Sequence, residues 1–281
     1  MSYENGSGGQ RASFPAGRLL IAAVIALISL VSYFGTRSKN ELTGETQHVA
    51  MTVEQEIGMG LQAAPEMESQ YGGPSSDKKG QDLVARVGRR LVESSVAGKS
   101  HYRFQFHLLA DPKTINAFAL PGGQVFITEG LFQHLKTEGQ LAGVLGHEIG
   151  HVIERHSAQQ LAKSRLTEGL TGAAVVASYD PNSARSRETA AVAAAVGKLV
   201  GLRYGRNDEL QADEWGVKLT ASAGYDPRAM IGVMEILEAA GHGHAPPEFF
   251  STHPNPEHRL ERIKELIAEQ FPKGVPEGLV P

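Results

Sequence analysis

Apolar positions along the chain follow three kinds of pattern. From Leu19 to Gly35 they run almost unbroken, LLIAAVIALISLVSYFG, with no charge over about 17 residues, the lower limit for a helix that spans a bilayer. Further on they recur at helical spacing. Leu83, Val84, Val87, Leu91 and Val92 line one side of Asp77 to Val96. Leu141, Val144, Leu145, Val152 and Ile153 line one side of Thr137 to His156, and Leu260, Ile263, Leu266 and Ile267 one side of Arg259 to Phe271. Between the first two of these helices the period drops to two. Tyr102, Phe104 and Phe106 alternate with Arg103, Gln105 and His107, and Asn116–Leu120 and Gln124–Thr128 read as strands around a Pro121-Gly122-Gly123 turn. The pattern predicts an α+β chain, mainly helical, with a small β-sheet.

Four regions follow. Residues 1–18, rich in Gly and Ser, read as a disordered tail. Residues 19–35 read as a transmembrane signal anchor in the lipid bilayer. The exit SYFGTRSKN is bulky and then basic and offers no small-x-small cleavage site. Arg11 and Arg18 before the span nearly balance Arg37 and Lys39 after it. An N-terminal anchor usually leaves the large domain outside the cytoplasm, so a periplasmic or extracytoplasmic domain is expected; secretion after cleavage and a cytoplasm-facing domain are the alternatives. Residues 36–75 read as a linker with a polar helix, Thr52 to Tyr71, interrupted by Pro65. The break at Gly72–Ser76 leads into a globular domain, 76–281. Within it, Leu161 to Tyr204 is rich in Ala, Gly and Val. Its runs Ala173–Ala177 and Ala191–Val196 are too short to span a membrane and read as helices joined by a polar loop, Asp180–Arg187.

Composition narrows the chemistry. A net charge of −4 and a pI near 6.3 give no argument for nucleic-acid binding. The absence of cysteine removes disulfides, thiolate metal ligands and thiol catalysis. Histidine is plentiful, with 11 in the chain.

Two of them lie in HEIGH. His147 and His151 are one helical turn apart, so both imidazoles share a face and can share a metal ion. Glu148 directly follows the first, placed to take a proton from water that such an ion activates. Thr137 and Gln140 form a capping box, with Glu138 in the first turn. Gly146 and Gly150 cost helix stability, about 1 kcal/mol each against Ala, which makes sense if something approaches this face closely.

Two histidines need at least one more protein ligand. The metzincin pattern puts a His six residues on, after a Gly; here those positions hold Ser157 and Glu154. His156 points away from the ligand face by helix geometry and reads as a supporting or surface residue. A later helix is the other source. NDELQADEWGVKLTASAG, Asn207 to Gly224, has Asn207 as N-cap, Gly224 as C′ residue, and Glu209 and Asp213 on one face. Two such acids are usually a solvated face; the His pair changes that weighting. His253, in FFSTHPNPEH, is a candidate further ligand or cation, although a loop His is more often structural. The edge of the strand Asn116, Ala117, Phe118, Ala119 could pair with an extended peptide, or the hairpin could be an ordinary one.

Taken together, these residues resemble the M48 family of zinc metallopeptidases. The matching segments are His147-Glu148-Ile149-Gly150-His151, Glu209-Leu210-Gln211-Ala212-Asp213, Ser251-Thr252-His253-Pro254, and Asn116 through Gly123. The resemblance spans roughly Val53 to Gln270. One departure is Gly205, where many relatives carry Ser. The resemblance implies a zincin-like metallopeptidase domain holding one Zn²⁺. Glu209 would be the third ligand, Asp213 would orient a ligand His, and His253 would stabilise the oxyanion or cap the zinc at rest. It also implies an endopeptidase that cleaves unfolded or misassembled polypeptide substrates in envelope quality control. A zinc exopeptidase and a non-enzymatic scaffold with a closed zinc site are the rivals. An intact Glu148 argues against the scaffold, and no motif marks a group that binds a free chain terminus.

Overall fold

The computed structural model describes residues 16–178, 204–241, 247–254 and 258–281. The chain divides into two compact units, Met1–Gly35 with Lys163–Gly201, and Thr36–Ala162 with Leu202–Pro281. In the first, α1 is a single helix of 20 residues, Ala16–Gly35. That is about 30 Å, the thickness of a bilayer's hydrocarbon core. Leu20, Leu27, Ile28, Val31 and Phe34 along it are exposed, so its apolar surface faces outward. The tail expected over 1–18 lies outside the described residues up to residue 15; from Ala16 the chain is already helical.

Residues 36–75 correct the expectation of a linker: they belong to the second unit. β1 (Arg37–Lys39) and β2 (Thr46–His48) pair antiparallel, and α2 runs from Val53 to Gln70. Asn40 donates to the Ile153 carbonyl at 2.7 Å, and Gln47 donates to the Glu154 carboxylate at 2.9 Å. Glu56, on α2, pairs with Arg155 at 3.0 Å. Asn40, Gln47 and Glu56 are buried polar groups with partners, so they leave no apolar period to read. The expected polar helix is present, with Thr52 and Gln55 forming its capping box. Pro65 does not interrupt it; the helix continues to Gln70.

α3 (Lys78–Glu93) is capped by Asp77, and a short 3-10 turn, Val96–Lys99, follows. The sheet has three strands, β3 (Gln105–Leu109), β4 (Ala117–Leu120) and β5 (Gln124–Thr128), in the order β3-β5-β4. β3 is parallel to β5 and β4 antiparallel to it, so β4 is an edge strand. The β4–β5 turn uses Gly122 and Gly123 at φ +84° and +103°. A Cβ on Gly122 would lie 2.4 Å from Ile57 Cα, so only glycine lets α2 rest on this turn.

Helices complete the unit: α4 (Glu129–Phe132), α5 (Glu138–Ile153), α6 (His156–Ser178), α7 (Arg206–Ser222), α8 (Ala229–Gly241), α9 (Phe249–Thr252) and α10 (Arg259–Gln270). α6 begins here and runs into the first unit. The expected loop Asp180–Arg187 and the run Ala191–Val196 lie outside the described residues. α7 starts earlier than expected: Gly205, not Asn207, is its N-cap, with the Asp208 carboxylate accepting the Gly205 N–H at 2.8 Å. It ends as expected, with Gly224 at φ +78° after the last turn.

α5 runs through the middle of the core. Leu145, Ile149 and Ile153 are fully buried against Leu91, Leu108, Ile127 and Ile263. Each such side chain contributes about 1.5–3 kcal/mol relative to exposure. The result is a mainly helical α+β fold with a small sheet, as the apolar pattern predicts.

Candidate metal centre

α5 begins at Thr137, whose Oγ1 accepts the Gln140 N–H at 3.2 Å. Only this half of the expected box forms. The Gln140 side chain reaches one residue further back and accepts the Lys136 N–H at 2.6 Å. The glycines explain what approaches α5. A Cβ on Gly146 would meet Gly216 O at 3.3 Å, and one on Gly150 would meet Trp215 Cβ at 3.0 Å and Ala212 O at 3.1 Å. The close neighbour is helix α7. Its approach carries Glu209 and Asp213 onto the histidine face.

Four ligand atoms converge there. His147, His151, Glu209 and His253 each offer one, all within 4.8 Å of one another, and all four residues are buried. His147 Nε2 is 3.0 Å from His151 Nε2 and 3.3 Å from His253 Nδ1. Glu209 reaches both α5 histidines at 3.5 Å and His253 Nδ1 at 3.1 Å. A tetrahedral ion with bonds of about 2.0–2.1 Å separates its ligand atoms by about 3.3 Å, so these spacings fit one. The satisfaction of polar atoms points the same way. Glu209 Oε2 and both Glu148 oxygens are buried and accept no hydrogen bond. Buried carboxylate oxygens that accept no hydrogen bond are costly, and a cation among them lowers that cost.

Behind three of the four candidate ligands, His147, His151 and Glu209, stands a supporting residue. Asp213 Oδ1 is 2.9 Å from His147 Nδ1. Arg259, at the start of α10, donates to Asp213 through Nε at 2.7 Å and Nη2 at 2.8 Å, and its Nη1 lies 3.3 Å from Glu209 Oε2. His156 is buried behind His151, with the two Nδ1 atoms 2.9 Å apart. This removes the surface alternative for His156. α5 ends at Ile153, and Arg155 at φ +57° turns the chain back, so helix geometry no longer applies at residue 156. Tyr204 stacks on the His151 ring with centroids 4.1 Å apart, and its hydroxyl bonds Ser157 Oγ at 3.1 Å.

The protonation pattern follows from burial and neighbours. Burial opposes charge on His147, but the bonds to Asp213 and Glu209 outweigh it and raise the imidazole to about 9. Burial holds His151 well below its ordinary value and His156 below its own. Glu209 and Asp213 resist the upward push of burial and stay low, Glu209 chiefly through His253 and His147, Asp213 chiefly through Arg259. Burial raises Glu148, only partly offset by His253 and His147. A carboxyl lifted toward neutrality in this way suits proton transfer.

Asn116 lies one residue before β4; Ala117, Phe118 and Ala119 are in it. The Asn116 amide donates to Glu248 Oε1 at 3.2 Å and to the Tyr71 hydroxyl at 3.3 Å. A small cavity lined by Ala119, Leu120, His151 and Tyr204 lies between the end of β4 and His151. The structure brings the expected candidates His147, His151, Glu209 and His253 together, with Asp213 beside His147. Arg259 and Tyr204 also stand at the cluster without any spacing signal, and so does the buried His156.

A family model for peptidase family M48 matches residues 78–267. Among curated proteins, the chain is 36% identical over 198 residues to the beta-barrel assembly-enhancing protease of Escherichia coli (strain K12), covering 68% of this chain and 40% of that protein. It is 36% identical over 187 residues to mitochondrial metalloendopeptidase OMA1 of Schizosaccharomyces pombe, covering 66% of this chain and 52% of that protein. It is 32% identical over 194 residues to OMA1 of Bos taurus, covering 66% and 37%. The chain thus spans roughly half or less of the length of these relatives. The matched span holds the buried cluster of His147, His151, Glu209 and His253 with Asp213 beside it, and the chain belongs to peptidase family M48.

Proposed function

We propose that this chain is a membrane-anchored zinc metalloendopeptidase that hydrolyses peptide bonds of unfolded or misassembled polypeptides, in envelope protein quality control. The carrying observation is the pairing of a four-residue ligand cluster with Glu148, a buried carboxylate that has no hydrogen-bond partner. A purely structural metal site has no use for such a group.

His147, His151 and Glu209 hold the zinc in this reading, one ion per chain. Imidazole nitrogen and carboxylate oxygen are its usual ligands. When bound, zinc polarises a carbonyl and lowers the pKa of water to about 7. Glu148 accepts the proton that water gives up and returns it to the departing amine. Asp213 holds the Nδ1 proton of His147, which aims Nε2 at the cluster. His253 takes a ligand place in the arrangement seen here, so it caps the site at rest. Its displacement makes room for water and substrate, and from that position its imidazole can serve the developing oxyanion.

The edge of β4 supplies a track for substrate. Residues Asn116 to Ala119 would pair with an extended peptide by main-chain hydrogen bonds. Such pairing reads backbone before side chains and suits an endopeptidase acting on unfolded chains. α1, with its outward apolar surface, fits a bilayer anchor, and we place the catalytic unit on the extracytoplasmic side. The relatives' names, a beta-barrel assembly-enhancing protease and a mitochondrial metalloendopeptidase, support the metallopeptidase role.

The test uses the full chain in detergent micelles with casein as an unfolded substrate. Internal fragments that disappear with a chelator and return with added zinc support the reading. Release of single residues from an end would instead make it an exopeptidase. Full zinc loading with no cleavage of any polypeptide would leave only a scaffold.

A further inference from the structure

We propose that His156 is a positioning residue for His151, accepting the His151 Nδ1 proton and so turning its Nε2 lone pair toward the metal, with Gln211 fixing the tautomer. The inference rests on the metal reading above but goes beyond the ligand set.

His151 and His156 face each other Nδ1 to Nδ1 at 2.9 Å, so one nitrogen carries hydrogen and the other accepts it. His156 Nε2 lies 3.1 Å from the Gln211 amide oxygen, which can only accept. A neutral imidazole has one N–H, and Gln211 claims it at Nε2. His156 Nδ1 is therefore the acceptor, and His151 is protonated at Nδ1. Its Nε2 is then bare, facing His147 Nε2 at 3.0 Å and Glu209 Oε1 at 3.5 Å. In the opposite tautomer a proton would point into the cluster, where an ion needs a lone pair.

Local structure is committed to this placement. Arg155, at φ +57°, is one of two non-glycine residues with positive φ among the described residues. That conformation costs roughly 1–2 kcal/mol. The guanidinium is held by Glu56 at 3.0 Å and by the Met51 carbonyl at 2.7 Å. The turn at Arg155 places His156 behind His151. Gln211 sits on α7 between Glu209 and Asp213, so one helix supplies a ligand, the carboxylate behind His147 and the amide that fixes His156. The supports of the two α5 histidines differ in charge: a carboxylate behind His147, a neutral ring behind His151.

The test measures zinc affinity of the full chain in detergent by competition with a chromophoric chelator. Cobalt absorption serves as a second readout of ligand geometry. Three variants are compared. His156→Leu removes the acceptor, His156→Asn keeps an acceptor near the Nδ1 place, and Gln211→Leu frees the His156 tautomer while leaving the ring. We expect His156→Leu to bind zinc about 10- to 100-fold more weakly with an altered cobalt spectrum. His156→Asn should recover most of the affinity, and Gln211→Leu should lose part of it. Unchanged affinity in both His156→Leu and Gln211→Leu overturns the proposal, as does an Asn variant no better than Leu. Should His156→Leu fail to fold, the Asn and Gln211 variants decide alone. A wild-type chain that binds no zinc would instead sink the metal reading itself.

Discussion

Arg259 and Asp213 lie side by side in the core, Nε 2.7 Å from Oδ2 and Nη2 2.8 Å from Oδ1, with both side chains buried. The pair does two things at once. It keeps Asp213 ionised against burial, and it fixes the carboxylate that holds His147. Arg259→Leu leaves that carboxylate buried without its partner. We expect a loss of about 3–5 kcal/mol of unfolding free energy, measured by chemical denaturation, together with weaker zinc retention. Arg259→Lys recovers the charge but not the two-point geometry, and should repair the loss only in part.

The contact between α5 and α7 predicts unequal effects at its two glycines. Gly146→Ala adds a methyl at 3.3–3.4 Å from Gly216, a distance a small shift can absorb. At Gly150 the nearest atoms stand at 3.0–3.2 Å. Gly150→Leu must push α7 away and take Glu209 with it. It should cost about 1–3 kcal/mol in thermal denaturation and lower the zinc content of the purified chain, while Gly146→Ala stays near wild type in both.

Glu154 gives the pH dependence a sign. Its carboxylate accepts from Trp215 Nε1 at 2.6 Å, Gln47 Nε2 at 2.9 Å and Thr43 Oγ1 at 3.1 Å, yet burial outweighs these bonds and raises its pKa. The native chain therefore binds this proton before the unfolded chain does, so acidification toward about pH 4.3 adds stability at this group. Asp213 behaves oppositely: its contribution is full above about pH 3.9 and is lost as pH falls through its depressed value. Wild type should gain stability relative to Glu154→Gln as pH falls from 7 to about 4.5, when both are unfolded in denaturant. A relative loss over that range would contradict the burial of a raised carboxyl.

Much of this site is legible in the sequence because helical spacing is a geometric fact. His147, Glu148 and His151 share a turn, Glu209 and Asp213 share another, and the Pro121-Gly122-Gly123 turn marks the two strands on either side of it. What spacing cannot show is where an irregular turn delivers a side chain. Arg155 and His258 are the two non-glycine residues at positive φ among the described residues, and each directly precedes a supporting residue, His156 and Arg259. Nothing in a period of 3.6 marks either turn. The hairpin Arg37–His48, and the attachment of residues 36–70 to the domain, are missed for another reason. These residues attach by buried polar pairs, Asn40 to Ile153 and Glu56 to Arg155, in place of an apolar stripe.

His253 separates a capped site from an open one. His253→Ala removes one of four converging ligand atoms and leaves three. The expected result is weaker zinc retention with faster cleavage of casein per zinc-loaded chain, because the fourth place is free for water. Slower cleavage at full zinc loading would mean that His253 serves the reaction more than it caps the ion.

The most direct measurement compares the full chain with Glu148→Gln, scoring casein cleavage and zinc content on the same preparations. The substitution preserves shape and removes the proton acceptor. We predict that the variant keeps its zinc and loses cleavage by about 10²- to 10⁴-fold. A variant that holds zinc and cleaves like wild type would contradict the account at its centre, because the buried carboxylate beside the cluster would then have no part in the chemistry.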